Sequence, residues 1–258
     1  MSAPTTKATA HGLSKPFWEL VKVEGKLALR EPTGLIFGVG LPVFLLIIFS
    51  RLPAFGKIFP GTTSTVFEIY VPILITTVLI MIALISLPIP LARDREIGWL
   101  RRISTTPMSP TMLLAAQVTI NLILAAVGFV ILTAGSVFIF GVYASLEIPG
   151  FILSIVLATA AMFSLGLLIA ALAYSQGVAG AMAMGLLYPL LFFAGIYTPV
   201  EAFPGYLQTI SRLTPVGAAV KALESSMQGT FPSAIPMLVM AAYAAFFSFA
   251  AIRYFRWE

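Results

Sequence analysis

The sequence predicts an all-α integral membrane protein with six transmembrane helices, and three observations carry that prediction. Charge is absent from long runs. Residues 69–92, 103–146, 148–200 and 225–252 hold no Asp, Glu, Lys, Arg or His, and 34–50 is equally clean. A bilayer core about 30 Å thick takes about 20 apolar residues of helix to cross. A charge at its centre costs roughly 2.5–3.5 kcal/mol or more. Composition agrees: 59% of the residues are hydrophobic and 10% charged, with a mean hydropathy of +1.01. Soluble domains are about 45–50% apolar. Lastly, the basic residues are unevenly divided among the segments that join the runs.

Taken in order, residues 1–13 are small and mostly polar, with no apolar stretch of a cleavable leader, and are expected to form a disordered tail. Residues 14–31 follow as an interfacial amphipathic helix, and 32–258 as a single transmembrane domain. The first span is expected at 34–50, closed by Arg51, and the second at 68–91, ending at Pro88-Ile89-Pro90, where proline should kink or stop the helix. The third, 112–142, is longer than a straight crossing needs, which implies tilt. The 148–200 run breaks at Tyr174-Ser175-Gln176-Gly177 into a fourth span at 150–173 and a fifth at 178–197, and the sixth is 232–252. Six spans with short loops use nearly all 258 residues, leaving no room for a soluble catalytic domain.

Placing both termini in the cytoplasm puts Lys7, Lys15, Lys22, Lys26, Arg30, Arg93, Arg95, Arg101, Arg102, Arg253 and Arg256 inside, against Arg51, Lys57, Arg212 and Lys221 outside. That bias follows the positive-inside rule and explains the net charge of +5 without a nucleic-acid partner. The absence of cysteine excludes disulfides and thiolate metal sites.

Three segments are more than simple spans. In Ser14–Arg30, Lys15, Glu19, Lys22, Lys26 and Arg30 recur at helical spacing opposite Phe17, Leu20, Val21, Leu27 and Ala28. Such a helix lies on the inner leaflet, either as an anchor or also touching a cytoplasmic partner. Between spans two and three, Arg93, Asp94, Arg95, Glu96, Arg101 and Arg102 alternate with an apolar edge of Ile97, Leu100 and Ile103, with Trp99 beside it. This predicts a short cytoplasmic helix fit to dock in a groove of another protein. The third segment, Tyr188–Met227, is punctuated by Pro189, Gly195, Pro199, Pro204, Gly205, Pro215 and Gly217. It reads as a re-entrant pair of short helices in the outer leaflet, or as a plain external loop with interfacial helices.

Together these segments resemble one family. Arg93-Asp94-Arg95-Glu96-Ile97-Gly98-Trp99-Leu100 resembles the R-E-x-G-T-L-E coupling motif of type-2 ABC exporter permeases, and Thr106-Pro107-Met108-Ser109-Pro110 its continuation. Tyr188-Pro189, Phe193-Ala194-Gly195-Ile196-Tyr197-Thr198-Pro199, Phe203-Pro204 and Thr214-Pro215 resemble the family's fifth span and re-entrant hairpin. The likeness runs the length of the chain and is strongest to the daunorubicin-resistance type of drug export permease, with polysaccharide export permeases also similar. Ala194 replaces a common serine, and Trp99 and Arg101 replace small and acidic residues, departures that touch the partner contact rather than the layout.

The resemblance implies a half-transporter. Two six-span subunits, identical or paralogous, would pair in a bacterial plasma membrane, each resting on a separate P-loop ATPase that binds ATP and Mg. This chain would bind no cofactor, and it has no G-x-x-x-x-G-K-S/T phosphate cradle. Coupling would enter through Arg93, Asp94, Arg95, Glu96, Ile97, Gly98, Trp99, Leu100 and Arg101, and gating through Pro189, Gly195, Pro199, Pro204 and Pro215. Phe37, Phe44, Phe192 and Phe193 would line a path for amphiphilic drugs, lipids or glycolipids, or serve packing alone.

Other function classes fit less well. An ion-coupled secondary transporter is the principal alternative, but proton coupling usually needs an acid or His at mid-membrane. A membrane-embedded enzyme lacks its groups: the single histidine, His11, stands alone in the tail, and Asp94 and Glu96 alternate with arginines that keep them ionised. Nothing resembles the selectivity filter of a channel.

Overall fold

The computed structural model describes residues 14–30, 33–98, 110–139 and 146–254. Apart from one isolated bridge between Ile58 and Thr65, the regular structure among these residues is helical. α1 (Ser14–Arg30) is followed by a short turn, Thr33–Leu35, and α2 (Ile36–Arg51). α3 (Val66–Glu96), α4 (Pro110–Ala134, extended by a π-helical turn at Gly135–Ile139), α5 (Ile148–Leu172) and α6 (Gln176–Ala194) come next. Two short helices, α7 (Gly205–Leu213) and α8 (Pro215–Met227), lead to α9 (Ala234–Tyr254). Five of them, α3, α4, α5, α6 and α9, are long and apolar enough to cross a membrane, and α2 is a shorter apolar helix. The expected tail, 1–13, lies outside the described residues.

The centre of the bundle is α3. Its apolar side chains point in every direction, and Ile73, Leu74, Ile75, Leu79, Ile80, Ile82 and Leu84 are all fully buried. A helix that is apolar all round is satisfied by neighbours on every side, and here α2, α4, α5, α6 and α8 supply them. α9 packs against α5 and α8 and leaves Leu238, Phe246, Phe249 and Ile252 exposed on its other face.

α3 begins with a capping box. The Thr65 hydroxyl accepts from the Glu68 N–H at 3.2 Å, and the Glu68 carboxylate accepts from the Thr65 N–H at 2.6 Å. Two amides that would otherwise lack partners are thereby satisfied. Thr65→Ala is expected to cost about 1 kcal/mol, read as a fall of a few degrees in the melting temperature of the purified chain.

The far end of α3 departs from the sequence expectation. Pro88 and Pro90 do not stop the helix. A π-helical turn over Ile82–Ser86, closed by the Leu87 N–H on the Ile82 carbonyl at 3.1 Å, precedes them. Pro88 then occupies the first position of a resumed helical segment, Pro88–Glu96, where an absent N–H costs nothing. Pro90 shares that first turn. The second helix therefore continues past 91 and takes Arg93, Asp94, Arg95 and Glu96 into its last turn. The other ends move less: α6 stops at Ala194 rather than 197 because Gly195 adopts a left-handed φ of 90°.

Candidate functional site

The last turn of α3 is tied to four other helices. The Arg95 guanidinium donates to the Ala170 carbonyl at 2.9 Å and the Ala173 carbonyl at 2.8 Å. These acceptors belong to the C-terminal end of α5, where carbonyls lack intrahelical partners and the helix dipole is negative. Next to it, the Glu96 carboxylate accepts from the Gln176 N–H at 2.8 Å. That amide opens α6, at the positive end of a helix. Adjacent residues of opposite charge thus grip the two sides of the α5–α6 turn, each matched to the partial charge it meets. The Ser175 side chain completes the turn by accepting from the Val178 N–H at 3.3 Å.

Asp94 faces another way. Its carboxylate accepts from the Gln117 Nε2 of α4 at 3.0 Å, and the Arg93 Nε lies 4.0 Å from its other oxygen. The Gln117 side chain also hydrogen-bonds Glu24 of α1. α1 is held on α4 by Leu20 and Val21 against Leu113 and Ala116, with Phe17, Met112 and Ile120 around them. Gln117 and Asn121 are buried, and Asn121 donates back to the Gln117 carbonyl at 2.9 Å. Burial first, then the nearby Asp94 carboxylate, push the Glu24 carboxyl up to about 7.

Sequence reasoning missed Glu24 and Gln117. Both were legible. Glu24 stands four residues after Leu20 and three after Val21, so it interrupts the apolar face of α1 rather than extending the polar stripe. Gln117 and Asn121 form an i, i+4 amide pair inside a charge-free run.

Of the other motif residues, Ile97 is exposed and Gly98 closes the turn at φ +69°, its N–H on the Arg95 carbonyl at 3.0 Å. Trp99, Leu100 and Arg101, where the short docking helix was expected, lie outside the described residues.

At the opposite end of α6, Pro189 sits within the helix. Gly195 packs against Ile73 and Val200 so closely that a Cβ would lie 3.3 and 3.2 Å from their side chains. Pro199 and Pro204 immediately precede a 3-10 turn (Val200–Ala202) and α7, and Pro215 opens α8. The Ser211 hydroxyl of α7 donates to the Phe193 carbonyl at 2.7 Å, fastening the hairpin to α6. α7 exposes Tyr206, Ile210 and Leu213, whereas α8 buries Val216, Ala219 and Leu223. Burial, then the neighbouring Glu224, raise the Glu201 carboxyl. The aromatic residues separate into two groups. Phe37 and Phe44 are exposed on α2, while Phe192 stacks on Phe203 at 4.9 Å and meets Phe193 edge-on at 5.4 Å.

What the α3 end can do is mechanical: a displacement there would be passed at once to α1, α4, α5 and α6. Residues 15–228 match the family model described as ABC-2 type transporter. The chain is 26% identical over 235 residues to the daunorubicin resistance ABC transporter permease protein DrrB1 of Streptomyces coeruleorubidus, covering 87% of this chain and 80% of that one. It is 26% identical over 182 residues to the inner membrane transport permease YhhJ of Escherichia coli K12, 67% of this chain and about half (48%) of that relative's length. It is also 24% identical over 237 residues to the putative transport permease ycf38 of Pyropia yezoensis, 89% of this chain and 81% of that one. With several membrane-length helices and a family match over most of its length, the chain belongs to the ABC-2 type transporter family, as a multi-pass transport permease.

Proposed function

We propose that this permease is the membrane-spanning half of an ATP-driven exporter. In this reading α2 is the first of six spans, both termini face the cytoplasm of a bacterial cell, and α7–α8 is a re-entrant hairpin at the outer leaflet. Two copies, or this chain and a paralogue, pair in the membrane and rest on two copies of a separate P-loop ATPase that holds ATP and Mg. The observation that carries the reading is the anchoring of Arg93–Glu96 to α1, α4, α5 and α6, which suits a segment that receives force and distributes it. Arg93–Arg101 is the docking segment for the ATPase. Closure of the ATPase pair would rock the spans between inward and outward access. Pro189, Gly195, Pro199, Pro204 and Pro215 shape the gate. Phe37 and Phe44 would face the path at the permease–permease interface, with Phe192 and Phe193 at its outer end. The cargo is amphiphilic: a drug, a lipid or a glycolipid.

Purification from native membrane in mild detergent, with stoichiometric partners identified by mass spectrometry, tests this directly. A co-purifying P-loop ATPase is expected, and a chain that emerges alone in several detergents would sink the proposal in favour of an ion-coupled carrier. Within the complex, Glu96→Ala removes one charge-assisted hydrogen bond, worth about 1.5 kcal/mol at such an exposed position. Substrate-stimulated ATP turnover and transport should fall several-fold, with membrane insertion intact.

A further inference from the structure

The polar cluster under α1 has a use that force transmission does not require. Two carboxyl groups, Glu24 of α1 and Asp94 of α3, converge on one carboxamide, Gln117 of α4. The Gln117 Oε1 is buried with no hydrogen-bond partner, and the Asn121 Oδ1 one turn away is in the same state. Ionised carboxylates offer only acceptors, so they cannot satisfy that oxygen. A protonated Glu24 can, because its O–H is a donor and its carboxyl already meets the Gln117 side chain, although the bond from Gln117 to the ionised carboxylate pulls the other way and is outweighed by burial and by Asp94.

We propose that Glu24, Gln117 and Asp94 form a proton-operated latch: α1 is docked on the α3–α4 junction when Glu24 carries a proton and loosened when it does not. The step adds one proton from solvent to the Glu24 carboxylate. It relieves the like-charge contact with Asp94 and exchanges the bond between Gln117 and the ionised carboxylate for one donated by the new O–H. Among the described residues, the charged groups facing Glu24 from the packed elements are Asp94 and Arg93, both from α3. α4 carries no ionisable residue over 110–134, and neither does the Thr33–Leu35 turn. The apolar part of the contact is small, with Leu20, Val21, Leu113 and Ala116 as its buried members, so the charge state of Glu24 is able to decide it.

The sign follows from linkage. The carboxyl moves from an ordinary 4.5 to about 7 in the docked state, so the docked state holds more protons between those values. Its contribution to docking is complete below about 4.5 and is lost as pH rises through about 7. The latch therefore sits astride neutral pH. It does not rest on the presence of an ATPase, because its readout is a distance within this chain.

The test exploits the absence of cysteine. Spin labels at Val23→Cys on α1 and Ile123→Cys on α4, both exposed positions, report the α1–α4 distance in the full chain. The chain is reconstituted in phosphatidylcholine–phosphatidylglycerol vesicles and examined from pH 5 to 9. The ratio of short to long distances should fall at least tenfold across that range, with a midpoint near 7. Glu24→Gln should abolish the transition and keep the short distance at every pH. Asp94→Asn should move the midpoint to lower pH. A distance that does not change with pH in the labelled chain, or a transition that survives in Glu24→Gln, would overturn the proposal.

Discussion

Replacing Arg95 with alanine should lower transport at least tenfold while leaving the chain inserted and helical. The guanidinium holds two carbonyls at the end of α5, at 2.9 and 2.8 Å. A charge-assisted bond of this kind contributes about 1.5–3 kcal/mol, and Arg95 is only partly buried, so the lower figure applies to each. Loss of both leaves the α5–α6 turn held to the end of α3 by Glu96 and by the apolar contact of Ala92 with Ala173 and Ala179, and about 1.4 kcal/mol is a factor of ten in an equilibrium. Arg95→Lys should recover part of the loss, because both carbonyls are met by one guanidinium nitrogen, Nη1, and an ammonium is also a single charged donor, though on a shorter and more strongly hydrated side chain. Transport into vesicles, measured beside ATP turnover of the complex and far-ultraviolet circular dichroism, separates loss of coupling from loss of fold. Unchanged transport in Arg95→Ala would mean that movement of α3 is not passed to α5 and α6 at this point.

Gly166→Val should have the largest effect on stability. A Cβ at Gly166 would overlap the carbonyl oxygen of Ala83, in the π-helical turn of α3. Helix α5 therefore lies directly on the backbone of α3, and small residues are what permit such an approach between membrane helices. A backbone carbonyl cannot swing aside as a side chain can, so the two helices must separate. Overpacking of this kind costs about 3 kcal/mol, expected as a fall of roughly 6–12 °C in melting temperature. Gly180→Ala in α6 is the matched control. Nothing lies within 4 Å of its Cβ, so the change should be neutral or stabilise by about 0.5–1 kcal/mol through helix propensity. Equal losses at both positions would show that the effect is generic to glycine in this bundle rather than due to the α3–α5 contact.

Much of this architecture was legible before any coordinates. Bilayer solvation penalises charge so strongly that the charge-free runs alone mark α3, α4, α5, α6 and α9, most with ends within a few residues. The polar break Tyr174-Ser175-Gln176-Gly177 marks the α5–α6 turn because it stands in the middle of a run too long for one helix and offers a serine to cap the next. The charged motif at Arg93–Gly98 also stood out, as did the proline and glycine punctuation of α7 and α8. Two features were read incorrectly or passed over. Proline at 88 and 90 suggested a kink or an end near 91; the helix is interrupted there by a π-helical turn but runs on to Glu96, because a proline in the first turn of a resumed segment breaks no hydrogen bond. Glu24 was passed over although it interrupts the apolar face of α1; what the sequence could not show is that it meets Asp94 and Gln117, which lie on two other helices.

By itself, then, the sequence determined which segments are long and apolar enough to cross a membrane, where the turns between them fall and which short stretch of charge is exceptional. It could not determine which apolar faces meet each other. Inside a bilayer a leucine is satisfied equally by lipid and by protein, so hydropathy does not distinguish the central helix from a peripheral one. α3 and α5 are equally apolar, yet most of α3 is enclosed by other helices and only about half of α5 is. Only the tertiary structure decided that difference. Its means are close backbone approach, as at Gly166, and a few polar contacts, as at Arg95, Glu96 and Gln117, because packing and hydrogen bonding are the forces that remain between helices once water is gone.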